Sequence, residues 1–191
     1  MSLLFFIHLN LISFFTPITT RVDVCVSTEE KKLYEIINEY RKQKELDPIA
    51  FSSKLTAVAQ AHAKDLSENY DFDPKGKCNP HSWSDEGAWT PCCYTNDHKQ
   101  AQCMWDKPKE IAGYTGSGYE IAYFNSGGAK AEKGLEGWKK SPAHNPLIIN
   151  SGMWEKAHWQ GIGIGIYKEY AVVWFGEVAD EQNKIITCNL N

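Results

Sequence analysis

The first strongly periodic segment of the chain predicts an amphipathic helix. Ser27 to Glu30 has the spacing of a capping box, in which the first and last residues satisfy each other's backbone N–H groups. Apolar residues then recur at the i, i+3, i+4 and i+7 positions of one helical face: Leu33, Ile36, Ile37 and Tyr40. The helix is expected to end before Pro48.

Two further segments predict helices. The second helix begins at Ser52 or Ser53, runs to Tyr70, and has one apolar face: Leu55, Val58, Ala59, His62 and Leu66. A histidine on such a stripe is more typical of a hydrogen-bonded core residue than of a ligand. The third helix is marked by three residues: Ala131, Leu135 and Trp138. It ends at Ser141, because the proline that follows disfavours helical geometry in the residue before it.

The second half of the chain predicts strands. Gly161–Tyr167 alternates strictly, and Tyr170–Phe175 is continuously apolar, which together indicate a hairpin with one well-buried strand. Ile185–Leu190 is predicted as a third strand. Residues 71–118 lack periodicity and contain four prolines and four cysteines, which indicates a long loop region with one short helix. Early helices and late strands predict an α+β fold, with helices on both faces of a small antiparallel sheet.

The first twenty residues differ from the rest of the chain. Residues 1–20 contain no charged side chain, and Leu3–Phe15 is mostly apolar but shorter than the roughly 20 residues of a membrane span. This pattern predicts a secretory signal peptide that is cleaved near Thr20; a frayed hydrophobic terminus is the alternative. The remaining residues, 21–191, suit a single domain and contain no further segment that predicts a membrane span.

Charge and cysteine content narrow the class of protein. The net charge is −4, and the absence of a long basic block argues against a nucleic-acid partner. Six cysteines in an exported chain indicate disulfides. We expect Cys25 to pair with Cys188, and the other four cysteines to pair among themselves without a Cys92–Cys93 bridge, since neighbouring residues rarely reach disulfide geometry. A cysteine zinc knot is the alternative, although the sequence has no CxxC pair.

Five short motifs occur in a recognisable order and spacing: Leu55–Ala63, His81–Ser82, Gly118–Ala122, Trp138–Asn145 and Gly161–Ile164. Together they resemble the CAP superfamily, which comprises the cysteine-rich secretory, antigen-five and plant pathogenesis-related proteins and their bacterial relatives. The resemblance covers residues 28–176 and is nearest to the bacterial-type branch, because an apolar 147–149 segment follows the Trp138 motif. It implies a three-layer α-β-α sandwich, in agreement with the pattern of helices and strands.

The resemblance also implies a cleft lined by two histidines and two acidic residues, which in some members holds a divalent metal, often zinc. His81 and His144 match the two histidines. Glu120 is the only carboxylate available for the first acid, although a strict alignment of its motif places Tyr119 there. Ser141 stands where animal members have the second acid. The resemblance therefore predicts His81, Glu120 and His144 as metal ligands, with Tyr119 and Ser141 lining the cleft.

Each of these candidate residues has a structural alternative. Zinc accepts three protein ligands and keeps one position for a water, which ionises near neutral pH. Alternatively, His81 and His144 satisfy buried backbone groups around the cleft. Trp83 and Trp89 lie in the disulfide loop, where an exposed indole can stack on a sugar ring or an apolar ligand. The alternative for both tryptophans is packing beneath the loop.

The sequence therefore predicts a secreted, extracellular CAP-type binding module without enzymatic activity. A lipid or sterol, a glycan and a protein are all compatible ligands. The alternative function is a metal-dependent hydrolase centred on His81, Glu120 and His144. No motif in the sequence indicates the positioned base and the oxyanion donors that such catalysis needs.

Overall fold

The computed structural model describes residues 23–70 and 76–188. Its helices and strands follow in the order α1 (Thr28–Gln43), α2 (Ser53–Asn69), α3 (Ala101–Trp105), α4 (Lys107–Ala112), β1 (Gly118–Phe124), α5 (Ala131–Lys140), α6 (Asn145–Ile148), β2 (Gly161–Tyr167) and β3 (Tyr170–Gly176). A single turn of 3₁₀ helix, Gly152–Trp154, precedes β2. The predicted signal peptide, residues 1–20, lies outside the described residues.

The three long helices begin and end as the sequence predicts. At α1, the Ser27 hydroxyl accepts a hydrogen bond from the Glu30 N–H at 3.2 Å, and the Glu30 carboxylate accepts one from the Ser27 N–H at 2.7 Å. The predicted capping box is therefore confirmed. At α2, the Ser52 hydroxyl accepts from the Leu55 N–H at 3.0 Å, and this bond fixes the start of the helix. The third predicted helix corresponds to α5, which ends at Lys140, immediately before Ser141.

The sheet has three antiparallel strands in the order β1-β3-β2. The hairpin predicted from Gly161–Phe175 is confirmed as β2 and β3. The third strand of the sheet is β1, and the described residues of the segment predicted as a third strand, Ile185–Leu190, are not part of this sheet. The described part of that C-terminal segment instead forms a bridge between Thr187 and Val26, beside the disulfide that joins Cys25 to Cys188.

Helices cover both faces of the sheet, which confirms the three-layer α-β-α arrangement. The α2 helix packs on one face with Val172 and Trp174 of β3, whereas α1 and α5 share the other face with Val173 and Phe175. Glycine recurs at every second position of β2 because the strand lies very close to the backbone of α2. A Cβ atom added at Gly165 would lie 2.2 Å from the carbonyl carbon of Ala59, so only glycine lets the backbone of α2 come this close to the strand.

Three disulfides join all six cysteines. Cys25 pairs with Cys188, and the four central cysteines pair among themselves: Cys78–Cys93 and Cys92–Cys103. The sequence expectation is confirmed, including the absence of a bridge between neighbours. The loop region contains two short helices, α3 and α4, rather than the one predicted. No helix within the described residues is long and apolar enough to cross a membrane.

Candidate functional site

A buried carboxylate on β1 holds two histidines from different parts of the chain. The side chain of Glu120 is inaccessible to solvent. One of its oxygens accepts a hydrogen bond from Nδ1 of His62, on α2, and the other accepts one from Nδ1 of His81 at 2.7 Å. These three residues, here called the histidine–carboxylate cluster, therefore occupy both oxygens of Glu120.

His62 is the fully buried histidine of the cluster. Its second ring nitrogen, Nε2, lies 2.9 Å from the carbonyl oxygen of Ser82, so both nitrogens face groups that only accept hydrogen bonds. The imidazole stacks on the indole of Trp83, with ring centroids 4.1 Å apart and an interplanar angle of 8°. The expectation that His62 is a hydrogen-bonded core residue is confirmed. What the sequence did not reveal is that one of its partners is Glu120.

The cluster keeps Glu120 ionised despite its burial. Burial alone raises the pKa of a carboxyl group, because it disfavours the charged form. The positive charge and hydrogen bonds supplied by His62 and His81 outweigh this effect and lower the pKa of Glu120 to about 2. The carboxylate is therefore a permanent acceptor over the ordinary pH range.

His81 connects the buried cluster to solvent. Its backbone N–H donates to the Asn79 side-chain oxygen at 3.0 Å, which fixes the turn that carries it. Its side chain is 22% exposed, and its ring lies 5.4 Å from that of Tyr94. Because Nδ1 faces the carboxylate of Glu120, this nitrogen carries the proton and donates it.

His144 lies at the start of α6 and lines the same cavity as His81 and Glu120. Burial lowers the pKa of His144, and the nearby His81 lowers it further, while Glu120 acts in the opposite direction. The structure thus brings all three predicted ligands to one cavity. It joins only Glu120 and His81 by a hydrogen bond, and His144 has no side-chain hydrogen bond to either of them.

The cavity has a volume of about 560 Å³ and is dominated by aromatic and apolar side chains. Tyr119 is the centre of its aromatic wall, with its ring centroid 6.2 Å from that of Trp105 and 5.0 Å from that of Trp154. The Tyr119 ring also packs against buried Trp159, at 5.4 Å, which is not a lining residue. Burial raises the pKa of the Tyr119 hydroxyl, and the charge of Glu177 raises it further. We call this space, with His81, Glu120 and His144 among its lining residues, the aromatic cavity.

The remaining predicted site residues are placed differently. Tyr119 lines the aromatic cavity, as predicted for the cleft, whereas Ser141 is not among its lining residues and Pro142 is. Trp83 is buried between His62 and Trp89, with the Trp83 and Trp89 rings 4.9 Å apart. Ligand contact by these two tryptophans stays a prediction, made for a different surface from the aromatic cavity.

Two tryptophans of the aromatic wall were not singled out as cavity residues from the sequence. Trp105 is the last residue of the short helix α3, and Trp154 belongs to the 3₁₀ turn. Neither follows a periodic pattern that would place it on a particular face. The number of tryptophans outside the periodic segments is the signal in the sequence that points to such a wall.

The donor set does not suit a divalent metal. Both oxygens of Glu120 already accept hydrogen bonds from imidazole groups, so a metal bound there would have to share each oxygen with one of these donors. Both ring nitrogens of His62 are also engaged. In residues 23–70 and 76–188, no group of three or more His, Cys, Asp or Glu side chains is arranged to hold a metal ion. The metal assignment stays a prediction from the resemblance.

The fold and cavity define a class of protein: a disulfide-bonded α-β-α sandwich with a histidine- and carboxylate-containing cleft. The family model described as CAP, the cysteine-rich secretory protein family, matches residues 34–188, and the chain belongs to this family. No curated protein matches the sequence.

Three solved structures with the same fold come from bacteria. An extracellular protein with an SCP domain from Bacillus anthracis superposes with a TM-score of 0.53 at 17% identity, over 78% of this chain and 40% of that one. An outer surface protein of Borrelia burgdorferi gives 0.52 at 20% identity, over 78% of this chain and 92% of that one. A cysteine-rich secretory protein of Staphylococcus aureus gives 0.50 at 18% identity, over 78% and 38%. At these identities the likeness concerns the fold alone.

Proposed function

We propose that this chain is an extracellular binding domain that takes a small, largely apolar molecule into the aromatic cavity. The observation that carries the proposal is the cavity itself, whose volume of about 560 Å³ falls within the range of small-molecule sites. Its wall of Tyr119, Trp105 and Trp154 offers large apolar ring surfaces with few polar atoms. Concave, mostly apolar sites with a few directed polar groups are typical of ligand pockets.

The apolar lining favours one ligand class over the others that the sequence left open. A glycan needs many directed hydrogen bonds, whereas most side chains that line the cavity are apolar or aromatic, and each oxygen of Glu120 already accepts a hydrogen bond. A protein partner would use a broader surface than this concave space. A small apolar molecule, such as a lipid or a ring compound, is therefore the ligand that the cavity suits best.

Extracellular location is part of the proposal. Three disulfides persist in oxidising compartments and are rare in the cytosol. The Bacillus anthracis relative is described as extracellular and the Borrelia burgdorferi relative as an outer surface protein. The predicted secretory signal in residues 1–20 agrees with this location.

A metal-dependent hydrolase is less well supported by the site. Its reaction requires a metal-bound water, and therefore a carboxylate or imidazole set that is free to bind the metal. Glu120 is held by His62 and His81 and is not available in this arrangement. The proposal of a binding domain requires no change in the cluster.

A neutral fluorescent probe tests the proposed function. N-phenyl-1-naphthylamine is titrated into the disulfide-intact protein, and binding is followed by probe emission and by quenching of tryptophan fluorescence. Tyr119→Ala removes the centre of the aromatic wall and is expected to weaken binding at least about fivefold. Trp89→Phe, outside the cavity, is the matched control and is expected to bind as the parent does. Absence of binding, or equal binding by Tyr119→Ala, overturns the proposal.

A further inference from the structure

The two edges of the sheet differ in how their outward-facing backbone groups are used. In an antiparallel pair, residues that hydrogen-bond to the partner strand alternate with residues that face away from it. On β2, each outward-facing N–H has an acceptor from another part of the fold. The Ile162 N–H donates to the backbone just before α2 at 2.9 Å. The Ile164 N–H donates to the Thr56 hydroxyl at 3.3 Å. The Ile166 N–H donates to the Glu30 carboxylate at 3.1 Å. These contacts close the β2 edge.

The same alternation identifies the outward-facing residues of β1, the opposite edge strand. In the register of the sheet, Trp174 of β3 lies between Gly163 of β2 and Glu120 of β1. Because Ile164 faces outward, its neighbour Gly163 hydrogen-bonds with Trp174, whose N–H and C=O are thus directed at β2. The backbone N–H and C=O of Glu120 consequently face away from β3, toward the open side of β1.

The outward-facing backbone groups of Glu120 have no partner within the part of the chain that the structure describes. Two residues along β1, the Ala122 carbonyl faces the same way and accepts a hydrogen bond from the Trp138 indole at 3.1 Å. Glu120 has no such cap, although the whole residue is only 5% exposed. Buried backbone N–H and C=O groups are nearly always paired in folded proteins. An unpaired donor and an unpaired acceptor on one buried residue therefore indicate a binding site.

These unpaired groups open into the aromatic cavity. Glu120 lines the cavity, yet its side chain is inaccessible to solvent, so the exposed part of the residue is its backbone. Tyr119 and Ile121, on either side of it, also line the cavity, and their side chains belong to the sheet face shared with α1 and α5. The edge of β1 thus offers the cavity one N–H and one C=O, flanked by two apolar side chains.

We propose that the ligand of this cavity is a short, extended apolar peptide that pairs antiparallel with β1. One peptide residue donates its N–H to the Glu120 carbonyl and accepts from the Glu120 N–H through its own carbonyl, as in an antiparallel ladder. The next peptide residue lies opposite Tyr119, where an aromatic side chain packs against Tyr119 and Trp154. The preceding group lies opposite Ile121. Addition of a strand to a free sheet edge is a recurrent mode of peptide recognition. The proposal rests on the proposed function and specifies its ligand class.

Two isomeric N-methylated peptides test the hydrogen bonds to Glu120. The parent probe is isovaleryl-Ala-Phe-amide, whose ends are blocked, and its binding is followed by displacement of N-phenyl-1-naphthylamine. The alanine N–H of the probe donates to Glu120, whereas the phenylalanine N–H points away from β1. Methylation of the alanine nitrogen is expected to weaken binding at least about fivefold, the ratio for one hydrogen bond. Methylation of the phenylalanine nitrogen, the matched control, is expected to have the smaller effect. An equal or larger effect of the control methyl group overturns the proposal.

The order of the side chains tests the register. Isovaleryl-Phe-Ala-amide contains the same groups, but neither of its residues, when paired with Glu120, places the phenyl ring opposite Tyr119. It is expected to bind about fivefold more weakly than the parent probe, the ratio expected for one aromatic pair. Tyr119→Ala is expected to abolish this difference, because the ring that distinguishes the two orders is then absent. Equal binding of the two orders by the parent protein overturns the proposal.

Backbone amides report the pairing without any substitution in the protein. The Glu120 N–H is expected to exchange its proton with solvent more slowly when the parent probe saturates the disulfide-intact protein, because it then donates to the probe. The Ile121 N–H is already directed at β3 and is the internal control, with an exchange rate that the probe leaves unchanged. If saturating probe does not slow exchange at Glu120, the proposal is overturned.

The fluorescent probe separates this inference from the proposed function. If N-phenyl-1-naphthylamine binds and Tyr119→Ala weakens its binding, but millimolar isovaleryl-Ala-Phe-amide does not displace it, the proposed function holds and the peptide is the wrong ligand class. If neither the fluorescent probe nor the peptide binds, both proposals fail. Displacement that depends on the alanine N–H and on Tyr119 supports both.

Discussion

Tyr119 and Glu120 are neighbours on β1, yet they belong to opposite faces of the sheet. The Tyr119 ring packs with Trp154 and Trp159, among the residues that share a face with α1 and α5. The Glu120 carboxylate points toward α2, where it meets His62. Successive side chains of a strand alternate in this way, so one dipeptide supplies both the aromatic wall and the buried charge. Both residues line the aromatic cavity, which therefore lies beside β1, an edge strand of the sheet.

Removal of His62 is expected to be strongly destabilising. His62→Ala would leave the Glu120 carboxylate buried with only His81 as a partner. Breaking a buried charge pair by removing one member costs about 3–5 kcal/mol. Denaturant unfolding of the two proteins measures the difference. His158→Ala, at an exposed histidine, serves as the control and is expected to change stability by less than about 0.5 kcal/mol.

Acid is expected to weaken the fold through Glu120. The pKa of this carboxyl is about 2 in the folded protein, against 4.5 without the fold, so its contribution to stability is complete above pH 4.5. The contribution is lost as the pH falls from 4.5 toward 2. Other carboxyl groups also titrate in this range, and comparison with Glu120→Gln isolates the effect. The free energy of unfolding of the parent should fall more steeply with acid than that of the variant; parallel curves would contradict the assignment.

The close contact between α2 and β2 is expected to tolerate no side chain at Gly165. A Cβ at this position would lie 2.2 Å from the Ala59 carbonyl carbon, so Gly165→Ala must push the helix away from the sheet. We expect a loss of about 1–3 kcal/mol or more, as for other overpacked interiors. Gly127→Ala is the control, because its added Cβ would meet only the Asn125 side-chain oxygen, at 3.4 Å. Thermal unfolding of both variants measures the two changes in stability, and the loss is expected at Gly165 alone.

The contribution of each disulfide to the free energy of unfolding is expected to increase with the number of residues in the loop that it closes. Cys25 and Cys188 are separated by 163 residues, whereas Cys78 and Cys93 are separated by 15. Replacing both cysteines of the longer bridge with serine is expected to cost about 2–5 kcal/mol, and the shorter bridge less. Denaturant unfolding of each double variant in the absence of reductant measures the two losses of stability and shows which bridge contributes more. A larger loss at the shorter bridge would contradict it.

Zinc titration tests the metal site that the family resemblance implies. Because both oxygens of Glu120 are engaged, we expect no stoichiometric zinc binding that depends on His81 and His144. Calorimetric titration of the parent and of the double variant His81→Ala, His144→Ala makes the comparison. Stoichiometric binding by the parent that the double variant loses would contradict our expectation and restore the metal site predicted from the resemblance.

The local elements of the fold could be predicted because their causes are local. The Ser27–Glu30 capping box contains both hydrogen bonds that define the helix start, and the alternation that indicates a strand is visible within Gly161–Tyr167 itself. The strand Gly118–Phe124 was missed because buried Glu120 interrupts its apolar pattern. The residues that make this burial favourable lie on other elements, and no local pattern reports them.

The site was predictable residue by residue but not as an arrangement. Family motifs selected His81, Glu120 and His144, and all three line one cavity. The hydrogen bond between His62 and Glu120 could not be inferred, because the two residues are 58 positions apart and the helical stripe that contains His62 indicates only burial. The aromatic wall depends on the register of β1, which sends Tyr119 and Glu120 in opposite directions. A shift of one residue would exchange them.

The disulfide between Cys25 and Cys188 determines what a protease releases from the protein. A protease that cuts once in an exposed loop between these positions opens the backbone, but the two pieces stay covalently tethered. On a gel, such a nicked molecule would migrate near its full mass until a thiol is added, and only then divide into fragments. A single cleavage event therefore leaves the domain in one piece.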